Sequence, residues 1–580
     1  MSTYYTDEKN AQVILALLKS HNIRKVIASP GTTNMALIVS MQNDPYFEMY
    51  SSVDERSAAY IACGLSAESG EVVVISCTGA TASRNYLPGL TEAYYRKLPV
   101  LAITSTQSIS RVGHHIAQII DRDVIPNDVA KHSVTLPIVK DADDFWDCEI
   151  KVNRAILELK RHGGGPVHIN LPTTYSKCFN SQELPEVRKI DRITVSSEFP
   201  ELPKGRIAIF VGSHAEITKE NTEIIDFFCS SNDAVVFCDH TSGYKGRYRV
   251  LYSIVACQQM FDKSDSLPYL LIHIGEVTGD YSSLGMVGKE VWRVSEDGEI
   301  RDTFRKLTKV FEMPEQHFFK HYTKAENKNA EKYFSVCKNN LTEVYNKLPE
   351  LPFSNVWLAS KMAHLIPEGS TIHFGILNSL RTWNFFELPQ SVSSASNVGG
   401  FGIDGNVSSL VGASLANKEK LYFGVIGDLA FFYDMNVMGN RHVGNNLRIL
   451  LVNNGKGTEF RQFNHSAAHF DEAADKYIAA AGHFGNRSVT LVKHYAKDLN
   501  FEYMSASNKE DFEKIYERFL TPRITSKSML FEVFTTNEDE SNGLYSMMNI
   551  EENIKGKAKD VAKNLLGKKG IKTLKSILGK

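Results

Sequence analysis

The chain has 580 residues, of which 43% are apolar and 23% are charged, and its formal net charge is −2. This length exceeds a single hydrophobic core and predicts about three domains. The near-neutral charge argues against a nucleic-acid-binding protein, and no apolar stretch reaches the roughly 18 residues of a membrane span. The first residues lack a signal-peptide pattern and the eight cysteines are scattered, so we predict a protein of the reducing cytoplasm.

Residues 1–183 form the first predicted domain. A helix is predicted over residues 8–20, and a turn over residues 30–34 follows the first strand. The predicted strands are apolar runs over residues 25–29, 72–77, 100–104 and 166–172. Residues 184–204 are polar and contain three prolines, which indicates a linker.

Residues 205–347 form a second, smaller predicted domain. Its predicted strands cover residues 207–212, 234–238, 270–274 and 291–294. No Gly-x-Gly-x-x-Gly pattern follows the first of these strands, so we expect no dinucleotide or flavin site here. A second linker, which contains two prolines, covers residues 348–354.

Residues 355–540 form the third predicted domain. Its predicted strands cover residues 371–374, 421–426, 448–452 and 528–534. A helix and a short loop are predicted over residues 431–442, between the second and third of these strands. Because strands alternate with helices in all three segments, we predict an α/β fold of three doubly wound parallel-sheet domains.

Residues 541–580 form a basic tail. Residues 555–580 carry nine lysines and one aspartate, and their apolar positions recur at helical spacing. A basic amphipathic helix can bind an anionic membrane surface or a protein partner. For this tail, we expect the membrane surface to be the inner one. The alternative is a solvated, partly disordered extension.

Two polar elements follow neighbouring predicted strands of the third domain. Gly427-Asp428-Leu429 ends the first strand, and Asn453-Asn454 ends the next one. A strand, a helix and a second strand of this size bring both strand ends to one edge of a parallel sheet, where ligands of α/β folds bind. One carboxylate and one amide oxygen then converge, and these are the ligands that Mg²⁺ prefers when it also holds a diphosphate.

The spacing of these two elements resembles the metal–diphosphate motif of thiamine-diphosphate-dependent enzymes. A second element supports the resemblance: Asp54-Glu55-Arg56-Ser57-Ala58 opens a predicted helix where that family places a glutamate against the aminopyrimidine ring of the cofactor. Taken alone, Glu55 would be an exposed carboxylate at a helix start and Asp428 a turn residue. Together they identify the chain as a member of this family over about residues 5–540.

The resemblance implies thiamine diphosphate and Mg²⁺ as cofactors, held in a homodimer or a homotetramer. It implies that Asp428, Asn454 and the backbone carbonyl of Lys456 bind the metal. Glu55 would hydrogen-bond the pyrimidine and promote the proton transfer that activates the cofactor, which requires a carboxyl kept protonated by burial. The implied cofactor contacts are Glu55, Gly31, Asn378, Ile403, Gly427, Asp428, Leu429 and Asn454.

Within the family, the stretch Gly402-Ile403-Asp404-Gly405 most resembles the menaquinone-pathway synthases, which join 2-oxoglutarate to isochorismate. This resemblance implies that Ile403 is the apolar wedge that keeps the cofactor bent; an ordinary core position is the alternative. Two further segments resemble these synthases: Ser29-Pro30-Gly31 and Ala117-Gln118-Ile119-Ile120-Asp121. The second resemblance implies that Gln118 lies near the reacting carbon.

The departures from those synthases concern the substrate. Thr32 and Thr33 stand where the synthases have Ser-Arg, and Val398 stands where they have another arginine. Because arginines make the strongest clamps for carboxylates, their loss argues against a dicarboxylic acceptor such as isochorismate. We therefore expect Thr32 and Thr33 to face a different substrate, with Arg381 available for a carboxylate and His465 covering the site.

His114 and His115 form the remaining candidate element. A histidine pair at a similar distance from the glutamate occurs in pyruvate-decarboxylase-like members of the family, where it handles protons and polar groups of the substrate. Histidine suits such a relay because it titrates near neutral pH. The alternative interpretation is a pair of histidines at a helix start that make local hydrogen bonds.

These features predict an enzyme that decarboxylates a 2-oxo acid and transfers the acyl carbanion to an acceptor, as a carboligase does. The lost arginines would suit a bulky acceptor such as a nucleotide sugar. A simple decarboxylase that releases an aldehyde is the first alternative, and His114 and His115 support it. A non-catalytic cofactor-binding subunit is the second, although the retained Glu55 and Asp428 argue against it.

Overall fold

The computed structural model describes residues 4–122, 124–323, 331–483 and 488–550. The predicted contacts of the 555–580 tail lie outside these residues. The chain divides into two compact units, residues 1–199 with 297–312 and residues 200–296 with 313–580. The described strands form three sheets whose registered neighbours run parallel, with helices between the strands, so the predicted α/β class is confirmed.

The first unit contains a six-stranded parallel sheet with the strand order β2-β1-β3-β4-β6-β5. Its strands are β1 (Lys25–Ala28), β2 (Glu48–Ser51), β3 (Val73–Thr78), β4 (Val100–Thr106), β5 (His132–Thr135) and β6 (Val167–Pro172). Its helices are α1 (Lys9–Ser20), α2 (Met35–Gln42), α3 (Glu55–Ser69), α4 (Ala80–Asn85), α5 (Leu87–Tyr95) and α6 (Ala142–Glu158).

The sequence pattern predicted the central strands of this sheet but not its edges. β4 and β6 are buried along their whole length, and continuous apolar runs of this kind are typical of strands covered by helices on both faces. β2 and β5 lie at the two edges, are four residues long and are rich in polar residues, so they carry no apolar run.

The first unit also contains two short parallel strands, which two arginines connect to the rest of the unit through ion pairs. The two strands are β7 (Asp191–Thr194) and β13 (Leu307–Glu312). Arg161 Nε lies 3.1 Å from the carboxylate of Glu312, and Arg192 lies 3.1 Å from the carboxylate of Glu158 at the end of α6. These side chains are mostly buried, so the ion pairs fix residues 297–312 against α6.

The second unit begins with the parallel strands β10-β9-β8-β11-β12, given in their spatial order. They are β8 (Ile207–Val211), β9 (Ala234–Cys238), β10 (Arg249–Leu251), β11 (Leu270–Ile274) and β12 (Glu290–Ser295), and the accompanying helices are α7 (Lys219–Asn232), α8 (Ser253–Ala256), α9 (Glu315–Tyr322) and α10 (Lys332–Tyr345). The strand order reverses at β8, where α/β sheets commonly bind ligands. Main-chain atoms occupy the space at the end of β8. Glu276 N donates to Ser213 O at 2.8 Å, and a Cβ on Gly212 would collide with Glu276 O.

The second unit also contains a six-stranded parallel sheet with the order β15-β14-β16-β17-β19-β18. Its strands are β14 (Thr371–Phe374), β15 (Ser393–Ser396), β16 (Tyr422–Gly427), β17 (Leu447–Asn453), β18 (Glu502–Ala506) and β19 (Met529–Phe534). Its helices are α11 (Asn355–Met362), α12 (Asn378–Trp383), α13 (Asn406–Ala416), α14 (Asp428–Asp434), α15 (Leu491–Asp498), α16 (Lys509–Glu513), α17 (Tyr516–Phe519) and α18 (Asn537–Met548). The edge strands β15 and β18 were not predicted.

The predicted domain boundaries stay a prediction, and α18 crosses the predicted boundary between the third domain and the tail. Of the helices in the described part of the chain, none is both long and apolar enough to cross a membrane.

Candidate active site

The metal motif of the second unit is assembled at the carboxyl edge of its six-stranded sheet. β16 and β17 are parallel neighbours, with Gly427 opposite Val452. Asp428 begins α14 directly after β16, and Asn454 follows directly after β17. Both residues line one cleft at this edge, as the sequence pattern predicts for a strand, helix and strand unit.

Asp428 is a buried carboxylate held by backbone donors. Its side chain accepts a hydrogen bond from Leu429 N at 2.8 Å and one from Gly455 N at 2.7 Å, and the residue is 3% exposed. Burial raises the pKa of Asp428 to about 6, although these backbone N–H groups act in the opposite direction. A bound cation would favour the ionised carboxylate, so the group is suited to a positively charged ligand.

Asn454 presents an acceptor to the same cleft. Its Nδ2 donates to Thr458 Oγ1 at 3.4 Å, whereas its buried Oδ1 has no hydrogen-bond partner among the described residues. A buried amide oxygen without a donor is costly unless a ligand satisfies it. Lys456 also lines the cleft, and its Nζ pairs with Asp475 at 2.6 Å. The carboxylate and the unpartnered amide oxygen in this cleft fit Mg²⁺ that holds a diphosphate. The backbone carbonyl of Lys456 as a further ligand stays a prediction.

Apolar and polar walls complete this cleft. Ile403 lines it and packs against the buried core beside α13 and α14, and Leu429 lines it from the start of α14. Asn378 begins α12 and contacts Thr458 Oγ1 at 3.0 Å. Leu377, which precedes Asn378, has φ 64° and ψ −119°, a conformation that non-glycine residues rarely adopt and that is often found at functional sites.

Arg381 forms a two-point ion pair with Glu459 beside the cleft. Its two Nη atoms lie 3.0 Å from the two carboxylate oxygens, and both side chains are about 20% exposed. This bidentate pair uses the N–H donors of the guanidinium that would otherwise bind a substrate carboxylate. The predicted substrate contact of Arg381 therefore stays a prediction, and Glu459 is a cleft residue that the sequence pattern did not reveal.

Glu540 is a third carboxylate in the cleft, and it too was missed from the sequence. It lies in the first turns of α18, which follows β19, and it is 4% exposed. Its Oε1 accepts from Asn355 N at 3.0 Å and from Thr535 Oγ1 at 2.7 Å. Burial raises the pKa of Glu540 to about 7, and the negative charge of Asp428 contributes to this shift. A carboxylate shortly after the last apolar strand was the only sequence signal.

His465 follows the metal loop and is half-buried. Its Nδ1 accepts from Ala467 N at 3.0 Å, so the side chain caps the 3₁₀ helix Ser466–Ala474. Its ring also packs edge-on against Phe460, which lines the cleft. The predicted role of His465 as a cover of the site stays a prediction.

The candidates of the first unit follow three strands of one sheet. The turn with Gly31 follows β1, Glu55 follows β2, and the loop with His114, His115 and Gln118 follows β4. Because the strands are parallel, these segments all leave from the carboxyl edge of the sheet.

Glu55 is the first residue of α3. Asp54 caps this helix, since its side chain accepts from Ser57 N at 3.1 Å. Asn85 Nδ2 donates to Glu55 Oε2 at 3.2 Å. Glu55 is half-buried within its own unit, so its carboxyl group is held in place and still accessible to a ligand.

The turn after β1 requires a glycine. A Cβ on Gly31 would lie 2.8 Å from Thr78 Cβ and 2.9 Å from Asn34 Oδ1, distances that real contacts do not allow. Thr33 is 3% exposed; its hydroxyl contacts Thr78 Oγ1 and donates to Ser105 O at 2.8 Å. Thr32 is exposed. The Thr33 hydroxyl is therefore engaged within the protein, and the substrate contacts of both threonines stay predictions.

The loop after β4 exposes His114, His115 and Gln118. It is a turn rather than a helix start, and His115 and Gln118 have positive φ angles of 56° and 66°. The alternative of two histidines at a helix start is therefore wrong, because Gly113, His115 and Gln118 take left-handed conformations that a right-handed helix does not contain. The roles predicted for the three side chains stay predictions.

Residues 8–125 match the model of the N-terminal thiamine-pyrophosphate-binding domain of thiamine pyrophosphate enzymes. The chain is 30% identical to the 2-succinyl-5-enolpyruvyl-6-hydroxy-3-cyclohexene-1-carboxylate synthase of Phocaeicola vulgatus, over 93% of this chain and 97% of the relative. The synthase of the same name from Bacteroides thetaiotaomicron is 30% identical over 93% and 98% of the two chains, and that of Flavobacterium psychrophilum is 26% identical over 90% and 96%. The predicted resemblance to this kind of synthase is confirmed.

Proposed function

The chain belongs to the family of thiamine-pyrophosphate enzymes, and from this membership we propose that it uses thiamine diphosphate and Mg²⁺ to decarboxylate a 2-oxo acid and transfer the acyl unit to an acceptor. The observation that carries the proposal is the cleft in which the Asp428 carboxylate lies with the unpartnered amide oxygen of Asn454. When bound, thiamine diphosphate supplies the electron sink for decarboxylation.

The residues of this chain would have separate roles toward the metal, the cofactor rings and the proton. Asp428, Asn454 and the carbonyl of Lys456 hold the cation, and Ile403 supplies an apolar wall for the cofactor rings. Glu55 holds a proton at the aminopyrimidine ring. Such a role suits a carboxyl group that is fixed by a neighbouring amide, as Asn85 fixes Glu55.

The acceptor that we propose carries fewer carboxylates than isochorismate. At the positions where the resemblance places arginines, the Val398 side chain is buried and the Thr33 hydroxyl is engaged inside the first unit. Arg381 is neutralised by Glu459. These side chains offer no strong clamp for two carboxylates. A nucleotide sugar as the acceptor stays a prediction from the sequence.

We expect the protein with thiamine diphosphate and Mg²⁺ to release CO₂ from a 2-oxo acid, with pyruvate and 2-oxoglutarate as the first donors to test. CO₂, free aldehyde and ligated product should be measured together, with candidate acceptors of differing charge. Ligated product in excess of aldehyde supports the carboligase, and aldehyde alone supports the simple decarboxylase. Cofactor binding without CO₂ from any donor would instead indicate the non-catalytic subunit.

We propose a homodimer or homotetramer in which each complete site draws on two subunits. In that case, mixing Glu55→Gln subunits with Asp428→Asn subunits should restore up to about a quarter of the wild-type activity for random dimer pairing, because one of the two sites in a mixed dimer is intact. The measurement is CO₂ release after the two variants have exchanged subunits under native conditions, with each variant alone as the control. Full activity of a strictly monomeric wild-type preparation would exclude the shared site.

A further inference from the structure

Three carboxylates line the cleft that we assign to the cation and the diphosphate, and one of them, Glu459, is paired with Arg381. Asp428 is the one that the family resemblance implies, and Glu540 reaches the cleft from a different element, α18. Both hydrogen bonds to the Glu540 carboxylate engage Oε1. Among the described residues no group bonds to its Oε2, which leaves that oxygen for the cleft.

We propose that Glu540 is a positioning residue for the cation: its carboxylate places a second negative charge beside Asp428 and strengthens the binding of Mg²⁺ with thiamine diphosphate. This inference rests on the proposed function. Mg²⁺ sites in proteins commonly use one or two carboxylates together with phosphate oxygens. A buried carboxylate that faces a diphosphate without a cation would be repelled by it, so the charge of Glu540 is favourable only when the cation is bound.

The local hydrogen bonds explain how Glu540 is held. Asn355 N lies at the start of α11, where a backbone N–H has no acceptor within its own helix. The Thr535 hydroxyl directly follows β19. By accepting from both groups, Glu540 Oε1 connects α18 to α11 and to the end of β19. A glutamine at position 540 would keep an oxygen for both donors and lose only the charge. Glu540→Gln therefore separates the contribution to the fold from the contribution to the cation.

Glu8 offers a matched control in the first unit. It is also a buried glutamate, and its Oε1 likewise accepts from a backbone N–H and a threonine hydroxyl, those of Thr174 at 2.7 and 2.8 Å. A second backbone donor, Ser176 N, lies 3.1 Å from the same oxygen. Glu8→Gln thus removes one buried negative charge whose oxygen has a similar set of donors and which does not line the cleft.

The test is a titration of MgCl₂ into the full-length protein at saturating thiamine diphosphate, followed by tryptophan fluorescence and by calorimetry. We expect Glu540→Gln to raise the half-saturating Mg²⁺ concentration about 10–100-fold, the usual effect of losing a group that supports a metal site. Glu8→Gln should leave this concentration unchanged. Thermal unfolding without Mg²⁺ checks that each variant is folded.

Thr535→Val provides a second variant, because it removes a donor that orients Glu540 and keeps the charge. We expect it to raise the half-saturating Mg²⁺ concentration about threefold, in line with the loss of one hydrogen bond. An unchanged Mg²⁺ dependence of both variants would overturn the inference while wild-type binding still supports the proposed function. A wild-type protein that binds no thiamine diphosphate with Mg²⁺ would instead overturn the proposed function.

Discussion

Replacement of Asp428 by asparagine is expected to abolish the retention of thiamine diphosphate and Mg²⁺ together. The carboxylate is the only formal charge that the predicted ligand set brings to the cation, and it is buried and held by two backbone donors. We expect the affinity for the cofactor with Mg²⁺ to fall by more than the roughly 10–100-fold that the loss of a supporting group costs. Both ligands should be measured in the protein after desalting, the cofactor by thiochrome fluorescence and the metal by mass spectrometry.

Asp434→Asn is the matched control for this experiment. Asp434 ends the same helix, α14, and is also buried, but its carboxylate accepts from Ser408 N and Ser408 Oγ, each at 2.6 Å, and does not line the cleft. This variant should lose some stability and keep the cofactor. Wild-type cofactor retention by Asp428→Asn would show that the metal assignment is wrong.

The metal motif could be predicted from the sequence because every step is local. β16 and β17 are continuous apolar runs, as buried parallel strands are, and the short helix between them fixes both strands side by side. Asp428 and Asn454 stand directly after these strands, so their positions follow from the strand ends alone. The same rule places Gly31 at the edge of the first sheet.

Glu540 and the pair of Arg381 with Glu459 could not be predicted in this way. They reach the cleft from helices and loops whose starts have no apolar periodicity, and their meeting depends on packing between distant parts of the chain. The contacts of Thr33 also depend on such packing, because its hydroxyl donates to Ser105 O of β4, which is separated from β1 by β3. Pattern and spacing identify a residue after a strand but do not tell which way its side chain turns.

The loop after β4 shows a related limit. His114, His115 and Gln118 stand in a segment without apolar periodicity, and both the helix-start and the catalytic interpretations used only the identity of the residues. The positive φ angles of His115 and Gln118 are set by the loop as a whole. In such a loop, a motif resemblance therefore gives the position of a residue along the chain, whereas the orientation of its side chain is known only from the three-dimensional structure.

Replacement of Glu55 by glutamine is expected to leave cofactor binding nearly intact and to slow the exchange of the C2 proton of bound thiamine diphosphate. Glutamine keeps the length of the side chain and an acceptor for Asn85 Nδ2, but its amide cannot transfer a proton as a carboxyl group does. General acid–base groups typically contribute about 10²–10⁴-fold to a rate, and we expect a loss of this order. Exchange into deuterium oxide, stopped with acid and read by proton NMR, measures the step directly.

Asp54→Asn is the control that isolates this effect. Asp54 adjoins Glu55 and caps α3 through Ser57 N, and asparagine caps helices about as well as aspartate does. The variant therefore removes a unit of negative charge one residue away and keeps the helix start. We expect its C2 exchange rate to stay near that of the wild type. Since a field effect of the lost charge would slow both variants alike, equal rates in Asp54→Asn and Glu55→Gln would remove Glu55 from proton transfer, whereas slow exchange in Glu55→Gln alone assigns the step to its carboxyl group.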